Sequence, residues 1–284
     1  MISKLLRSSL FYGFCLIVFF SCKKKESHAQ QQPAPIPAPK PTASWNFETS
    51  AIWVDEFDSG STPDTAHWSF EIGGNGWGNN ELEYYTDGAN AIIDSGSLRI
   101  IAKKESFGGK NYTSARMISK GKGDWLYGRF EIRAKVPKGR GTWPAIWLLP
   151  TDEAYGGWPN SGEVDIMEHV GFDQNRIHFT VHNATYFAGN GVGADMVVPS
   201  ATDSFHVYRC DWTPAGIRGY IDGKRYFEYE NNGKGSPYWP YDKRFFMILN
   251  VAIGGGWGGQ QGVDDSIFPV AMEIDYVRIY KWLP

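Results

Sequence analysis

Three carboxylates fall within six residues of the stretch WPNSGEVDIMEHVG (158–171): Glu163, Asp165 and Glu168. The residues between them, Val164, Ile166 and Met167, are apolar. Apolar neighbours on a β-like run imply burial, and a carboxylate resists burial unless it is paired or has chemistry to perform. The plain alternative is a solvated edge strand carrying scattered charge. The chemistry that calls for such a group is glycosidic bond cleavage. One carboxylate attacks the anomeric carbon and a second protonates the leaving oxygen, the two lying about 5–5.5 Å apart when configuration is retained.

Strand geometry puts a condition on that chemistry. Side chains alternate with period two, so Glu163 and Asp165 share a face while Glu168 has the wrong parity. One extra residue between Asp165 and Glu168 restores the parity. A β-bulge supplies it, with Ile166 or Met167 as the inserted residue, and bulges concentrate beside active sites. On a flat strand the two glutamates would still be about 13 Å apart along the axis. They must therefore lean together on a concave, strongly twisted strand. Asp165, between them, raises a neighbour's proton affinity by like-charge repulsion.

The elements that must position these acids read as strands. GRFEIRAKV (128–136) alternates cleanly, with Phe130, Ile132, Ala134 and Val136 inward. SLRIIAKK (97–104), RIHFTVH (176–182) and the closing MEIDYVRIY behave alike. IRGYIDGKRYFEY (217–229) is a hairpin, with Asp222-Gly223 suited to a type I′ turn. FFMILNVAI (245–253) is apolar almost throughout, as a central strand covered on both faces would be. No helix longer than a turn or two is expected. Short strands separated by turns predict an all-β fold, a jelly-roll sandwich of two antiparallel sheets. The long Gly- and Trp-rich segments 73–86, 138–150, 155–160, 238–242 and 254–262 stand apart as loops. Indole faces in loops need a cover, and the C–H faces of sugar rings supply one; burial in the core is the alternative for any single Trp.

The ends and the charge narrow the function classes. Lys4 and Arg7 precede an apolar run, Leu10–Phe20, that is too short to span a bilayer. It ends in Phe19-Phe20-Ser21-Cys22, which resembles a bacterial lipoprotein signal, with 1–21 removed and Cys22 acylated. Residues 22–44 form a Pro/Ala/Gln-rich spacer of extended polyproline character, and 45–284 form the folded domain. The expected location is a bacterial membrane, periplasmic or at the cell surface, with contact to lipid through the anchor alone. Residues 1–44 hold six of the 28 Lys/Arg and one of the 31 Asp/Glu, so the domain keeps 22 basic and 30 acidic residues, a net of −8. That balance excludes a nucleic-acid partner and suits a neutral polysaccharide. Of three Cys, only Cys210 lies in the domain; it reads as a buried strand residue rather than a thiol nucleophile.

The run Glu163-Val164-Asp165-Ile166-Met167-Glu168 resembles the active-site signature of glycoside hydrolase family 16, in its bulged, laminarinase-like branch. WGNNELEYYT, SARMISKGK, YGRFEIRAKVPKGRGTWPAIWLLP, YWPYDKRFFMILNVAIGGGWGG and EIDYVRIY extend the likeness over residues 50–281. The resemblance implies a jelly roll with a concave substrate cleft. It implies Glu163 as nucleophile, Glu168 as acid/base and Asp165 as the assisting carboxylate. It places Trp143, Trp147 and Trp158 against the substrate near the cleavage point, with Asn79 or Asn80 and Arg116 as polar sugar contacts. His182 matches a cleft histidine, a structural histidine being the alternative, and Trp257 matches a loop at the cleft border. It further implies a structural Ca²⁺ away from the cleft, held by Glu56, Gly96 and Asp275; oxygen donors suit this hard cation. No cofactor is required for the chemistry.

The implied activity is endo-hydrolysis of 1,3-β-glucan of laminarin type, extending to mixed-linkage 1,3-1,4-β-glucan, by a monomer. A galactan hydrolase of agarase type is the alternative within the family. A non-catalytic β-glucan-binding protein is the alternative outside enzymes, and retention of all three acids argues against it. Phe179 departs from the smaller residues associated with its strand, and either packs in the core or narrows a subsite.

Overall fold

The computed structural model describes residues 43–284. The expected signal segment, Cys22 and all but the last two residues of the spacer lie outside the described residues. Alternation of apolar and polar side chains produces two stacked antiparallel sheets, a jelly-roll sandwich as expected. Among the described residues the helical elements are two single 3₁₀ turns, Ala188–Asn190 and Asp265–Ile267.

One sheet, the outer one, runs in the order Lys224–Glu230, Gly216–Ile221, His206–Thr213, Gly128–Lys135, Val270–Tyr280, Ser97–Ala102, Ala91–Asp94, with Trp53–Asp55 also on the 270–280 strand. The other, the site sheet, runs Val192–Val197, Arg176–His182, Glu163–Glu168, Thr142–Pro150, Phe245–Ile253, Arg116–Ile118, Ser69–Phe70, with Asp124–Trp125 also on the 245–253 strand. The 128–135 strand buries Phe130, Ile132 and Ala134, and Val136 follows them inward, as the alternation predicts. The hairpin at Asp222-Gly223 has both residues at positive φ, 49° and 78°, which a type I′ turn requires.

The all-apolar strand Phe245–Ile253 is buried at every position. Met247, Leu249, Val251 and Ile253 join the core between the sheets. On its other face Ala252, Asn250 and Ile248 lie beside Trp143, Ala145 and Trp147 of the neighbouring strand. This strand is therefore core on one side and cleft floor on the other.

Phe179 belongs to the core. It is fully buried and stacks on Phe227 of the opposite sheet at 4.5 Å, and the backbone of Gly219 approaches its ring so closely that an added Cβ would meet Cδ2 at 2.4 Å. Burying such a ring stabilises the fold by about 1.5–3 kcal/mol. It does not narrow a subsite. Cys210 is likewise buried between strands, where desolvation pushes its thiol well above the usual range.

Candidate active site

The Glu163–Glu168 strand of the site sheet contains the required bulge. Asp165 is opposite Thr180 and Glu168 opposite His178, so three steps on one strand match two on the next. The same slip occurs against the other neighbour, where Trp147 pairs with Asp165 and Ala145 with Glu168. On that side Met167 pairs with Ile146, which leaves Ile166 as the inserted residue. Val164, Ile166 and Met167 all enter the core. Three apolar side chains pulled inward leave Glu163, Asp165 and Glu168 on the outer face together.

The acids form one electrostatic unit. Asp165 is only 3% exposed, and the Glu163 side chain is 16% exposed at the cleft mouth. Burial raises the pKa of Glu163 well above the ordinary range, and the Asp165 charge adds to this. Burial and then the Glu168 charge push Asp165 up in turn. Glu168 is also raised by burial, against the N–H of Trp143, which donates to its Oε1 at 3.0 Å and favours the anion. Like charges this close do not all ionise together, so the three titrate as a set. His182, opposite Glu163 on the next strand, sets its Nε2 3.7 Å from Glu163 Oε1 and 3.3 Å from Asp165 Oδ2.

Indole rings wall the site. Trp143 lies edge-to-face with Trp257 at 5.6 Å, and Trp257 with His178 at 4.9 Å. The Asn79 carbonyl accepts from the Gly256 N–H in this same glycine loop, and the Asn79 side chain donates to Glu81. Asn80 is exposed at the turn, with φ 59°. Trp147 donates to the Asn250 side chain at 2.8 Å; Asn250 donates to the Tyr85 hydroxyl at 3.1 Å, and Tyr85 to Glu81 at 2.8 Å. Arg116 is sandwiched between the rings of Trp77 and Trp147, with Glu71 as its ion pair. At the other end Trp158 is half exposed, 6.2 Å from the His182 ring and 6.1 Å from Phe187. The expected residues thus gather around the acids in two walls, with Asn79 and Arg116 in one and Asn80 outward at its rim.

Sequence reasoning missed His178, Phe187 and the chain behind Trp147. A signal existed for Asn250, a lone amide in an otherwise apolar nine-residue strand, which demands a partner when buried. Glu81 and Glu83 flank it, also buried. Glu83 accepts from the Ile253 N–H at 2.6 Å, and burial holds its carboxyl well above the usual range.

The residues expected to hold calcium lie on the outer sheet. Asp55, next to Glu56, pairs with Val277; Leu98, two residues after Gly96, pairs with Ile274. Asp275 falls between those partners, where the register against the 128–135 strand slips by one residue. In type the donors, two carboxylates and a main-chain carbonyl, suit a hard cation. Both carboxylates are engaged by arginines, Glu56 by Arg278 at 2.8 Å through each oxygen and Asp275 by Arg133 at 2.6 Å.

Clustered carboxylates in an indole-walled cleft on a two-sheet sandwich define a carbohydrate-cleaving hydrolase by class. The family model for glycosyl hydrolases family 16 matches residues 76–278, and the chain belongs to that family. It is 48% identical over 243 residues to a β-glucanase of Rhodothermus marinus, covering 82% of this chain and 85% of the relative. It is 40% identical over 256 residues to a glucan endo-1,3-β-glucosidase of Cryptopygus antarcticus, covering 81% and 91%. The crystal structure of the Rhodothermus marinus laminarinase superposes with a TM-score of 0.82 at 47% identity, covering 84% of this chain and 99% of that one.

Folded-state pKa values raised above unfolded ones set the sign of a stability effect. The native protein keeps protons that the unfolded chain releases, so this contribution is full below the ordinary carboxylate range and is lost as pH rises through the raised values. Asp165→Asn removes one group from that titration. Its melting temperature relative to wild type is expected to be more favourable at pH 8 than at pH 4 in thermal scans. A difference that does not change with pH would contradict the electrostatic account.

Proposed function

We propose that this protein is a retaining endo-hydrolase of internal 1,3-β-glucosidic bonds in laminarin-type glucans. The reading extends to mixed-linkage 1,3-1,4-β-glucan, whose neutral rings present the same faces to the tryptophans. The single observation that carries it is the bulge, which turns three acids toward one aromatic cleft in a chain so similar to β-glucanases. Family members that bind glucan without cutting it have no need of that costly desolvated cluster.

In this reading the Glu163 carboxylate attacks the anomeric carbon as the bond to the leaving oxygen breaks. Glu168 gives its proton to that oxygen, so the aglycone departs as an alcohol. Glu168, now the anion that Trp143 favours, takes a proton from water. The hydroxide oxygen attacks the same carbon, the ester to Glu163 breaks, and configuration is retained. Asp165 and His182 position Glu163 and bias where the remaining proton resides. Trp143, Trp147, Trp158 and Trp257 stack against sugar rings, while Asn79, Asn80 and Arg116 offer polar contacts to hydroxyls. The three acids lie on a single strand, so the chemistry needs no second copy, and the enzyme is read as a monomer.

Two further parts of the proposal stand on separate supports. The lipobox-like Ser21-Cys22 supports a lipid anchor at Cys22, with the domain held at a bacterial membrane by the 22–44 spacer, in the periplasm or at the cell surface. The all-oxygen donor set of Glu56, Gly96 and Asp275, with Asp275 at a bulge, supports a structural Ca²⁺ that competes with Arg278 and Arg133 for the carboxylates.

Three outcomes are expected. Glu163→Gln lowers laminarin turnover by roughly 10⁴-fold or more while calorimetry shows laminari-oligosaccharide binding near wild type; retained turnover removes the nucleophile, and cleavage of agarose but not laminarin in a polysaccharide panel removes the substrate. Cys22→Ala moves the protein from the membrane to the soluble fraction, where light scattering gives a monomer mass; an unchanged distribution excludes the anchor. Calcium added after chelation raises the melting temperature of wild type but not of Asp275→Asn, and an equal response in both excludes that site.

A further inference from the structure

The geometry points to a second use of the catalytic centre: Glu163, Asp165 and His182 form a ready-made binding site for a zinc ion, which closes the enzyme reversibly. One donor atom from each of the three lies within 4.8 Å of the others. Zinc bonds of about 2.0–2.2 Å to imidazole and carboxylate, arranged tetrahedrally, put neighbouring donors roughly 3.3–3.5 Å apart. His182 Nε2 is already 3.3 Å from Asp165 Oδ2 and 3.7 Å from Glu163 Oε1. Two of the three donor separations thus lie near those of a tetrahedron, and the third, between the two carboxylates, is within 4.8 Å.

Two independent features point to a ligand. Asp165 Oδ2 is buried with no hydrogen-bond partner, although it faces the imidazole; a buried carboxylate oxygen left without a bond is rare. The imidazole is also held in place. Gly191 lies so close that an added Cβ would meet His182 Cε1 at 2.4 Å, and Trp158 lies near the ring at 6.2 Å. The main-chain oxygen of His182 accepts from the Tyr241 hydroxyl at 2.7 Å. Any residue larger than glycine at 191 would collide with the ring and with Thr180.

The donor set selects the metal. One nitrogen and two carboxylates suit zinc, with a water in the fourth position toward the cleft. Calcium needs more oxygen donors than the site offers, and magnesium prefers an octahedron of oxygens to an imidazole ligand. His182 Nδ1 has no acceptor to orient it, and absence of such a partner weakens zinc sites by about 10–100-fold. The site is thus suited to reversible loading. Zinc must displace protons from the acids, so its affinity rises with pH.

The inhibitory consequence rests on the glucanase reading; the binding does not. Wild-type protein is titrated with ZnCl₂ in a non-chelating buffer by calorimetry, with and without laminari-oligosaccharide, and its laminarin hydrolysis is assayed across the same zinc range. One zinc per chain is expected at this site, binding tighter at pH 8 than at pH 6, suppressed by oligosaccharide and matched by loss of turnover that excess chelator restores. His182→Ala is expected to weaken binding at least tenfold, with Asp165→Asn as the second variant should the first fold poorly. His206→Ala, which alters a partly buried histidine paired with Asp222 on the outer sheet, is expected to leave zinc affinity unchanged. Zinc binding that survives both site variants, or that ignores oligosaccharide, overturns the inference. Zinc binding as described in a protein that leaves laminarin intact refutes the substrate reading alone.

Discussion

Like charges buried on one strand repel, and the rest of this domain is arranged so that the strand can hold them. The inserted residue at Ile166 is what makes the arrangement sterically available. On a regular strand, without the bulge at Ile166, Glu168 would point into the core beside Ile177 and Pro144, where an ionised carboxylate is untenable. With it, three apolar side chains are drawn inward and three acids outward over six residues. The apolar anchors offset part of the electrostatic strain, because each contributes about 1.5–3 kcal/mol on burial.

The sheet supplies the remaining conditions. Neighbouring strands place Trp143 N–H on Glu168 and His182 beside Glu163, so donors and imidazole reach the acids from both sides. The wholly buried 245–253 strand is floor and core at once. A rigid floor matters because the acids must remain within reach of a single anomeric carbon through two displacements of opposite direction. Low exposure also strengthens each interaction among them.

Much of this was legible in the chain, and for physical reasons. Period-two alternation carried the inward set Phe130, Ile132, Ala134 and Val136, and Asp222-Gly223 carried its turn. The bulge followed from parity alone, since no regular strand brings Glu168 to the face of Asp165. The inserted residue was not legible, because Ile166 and Met167 are both apolar and only the register against Ile146 distinguishes them. Phe179 was ambiguous for a similar reason: its partner Phe227 is 48 residues away, on the other sheet. The chain of polar contacts behind Trp147 joins residues 81, 85, 147 and 250, and no local pattern links such distant positions. The roles of Glu56 and Asp275 were drawn from resemblance, and the arginines that engage them come from elsewhere in the sheet.

The two walls of the cleft differ in how they are held. Trp147 is tied to Asn250, Tyr85 and Glu81, which are buried beneath it, whereas Trp158 and Phe187 stand half in solvent, with Trp158 beside His182 and its side chain favouring the Glu163 anion. A buried polar network tolerates little change, because each lost member leaves another unsatisfied. An open aromatic contact such as that of Phe187, away from the acids, forgives substitution. The molecule therefore has one conservative bank and one permissive bank. Variation in chain length, branching or linkage preference among descendants of this sequence is expected to accumulate on the permissive side, leaving the braced side, and the chemistry beside it, unaltered.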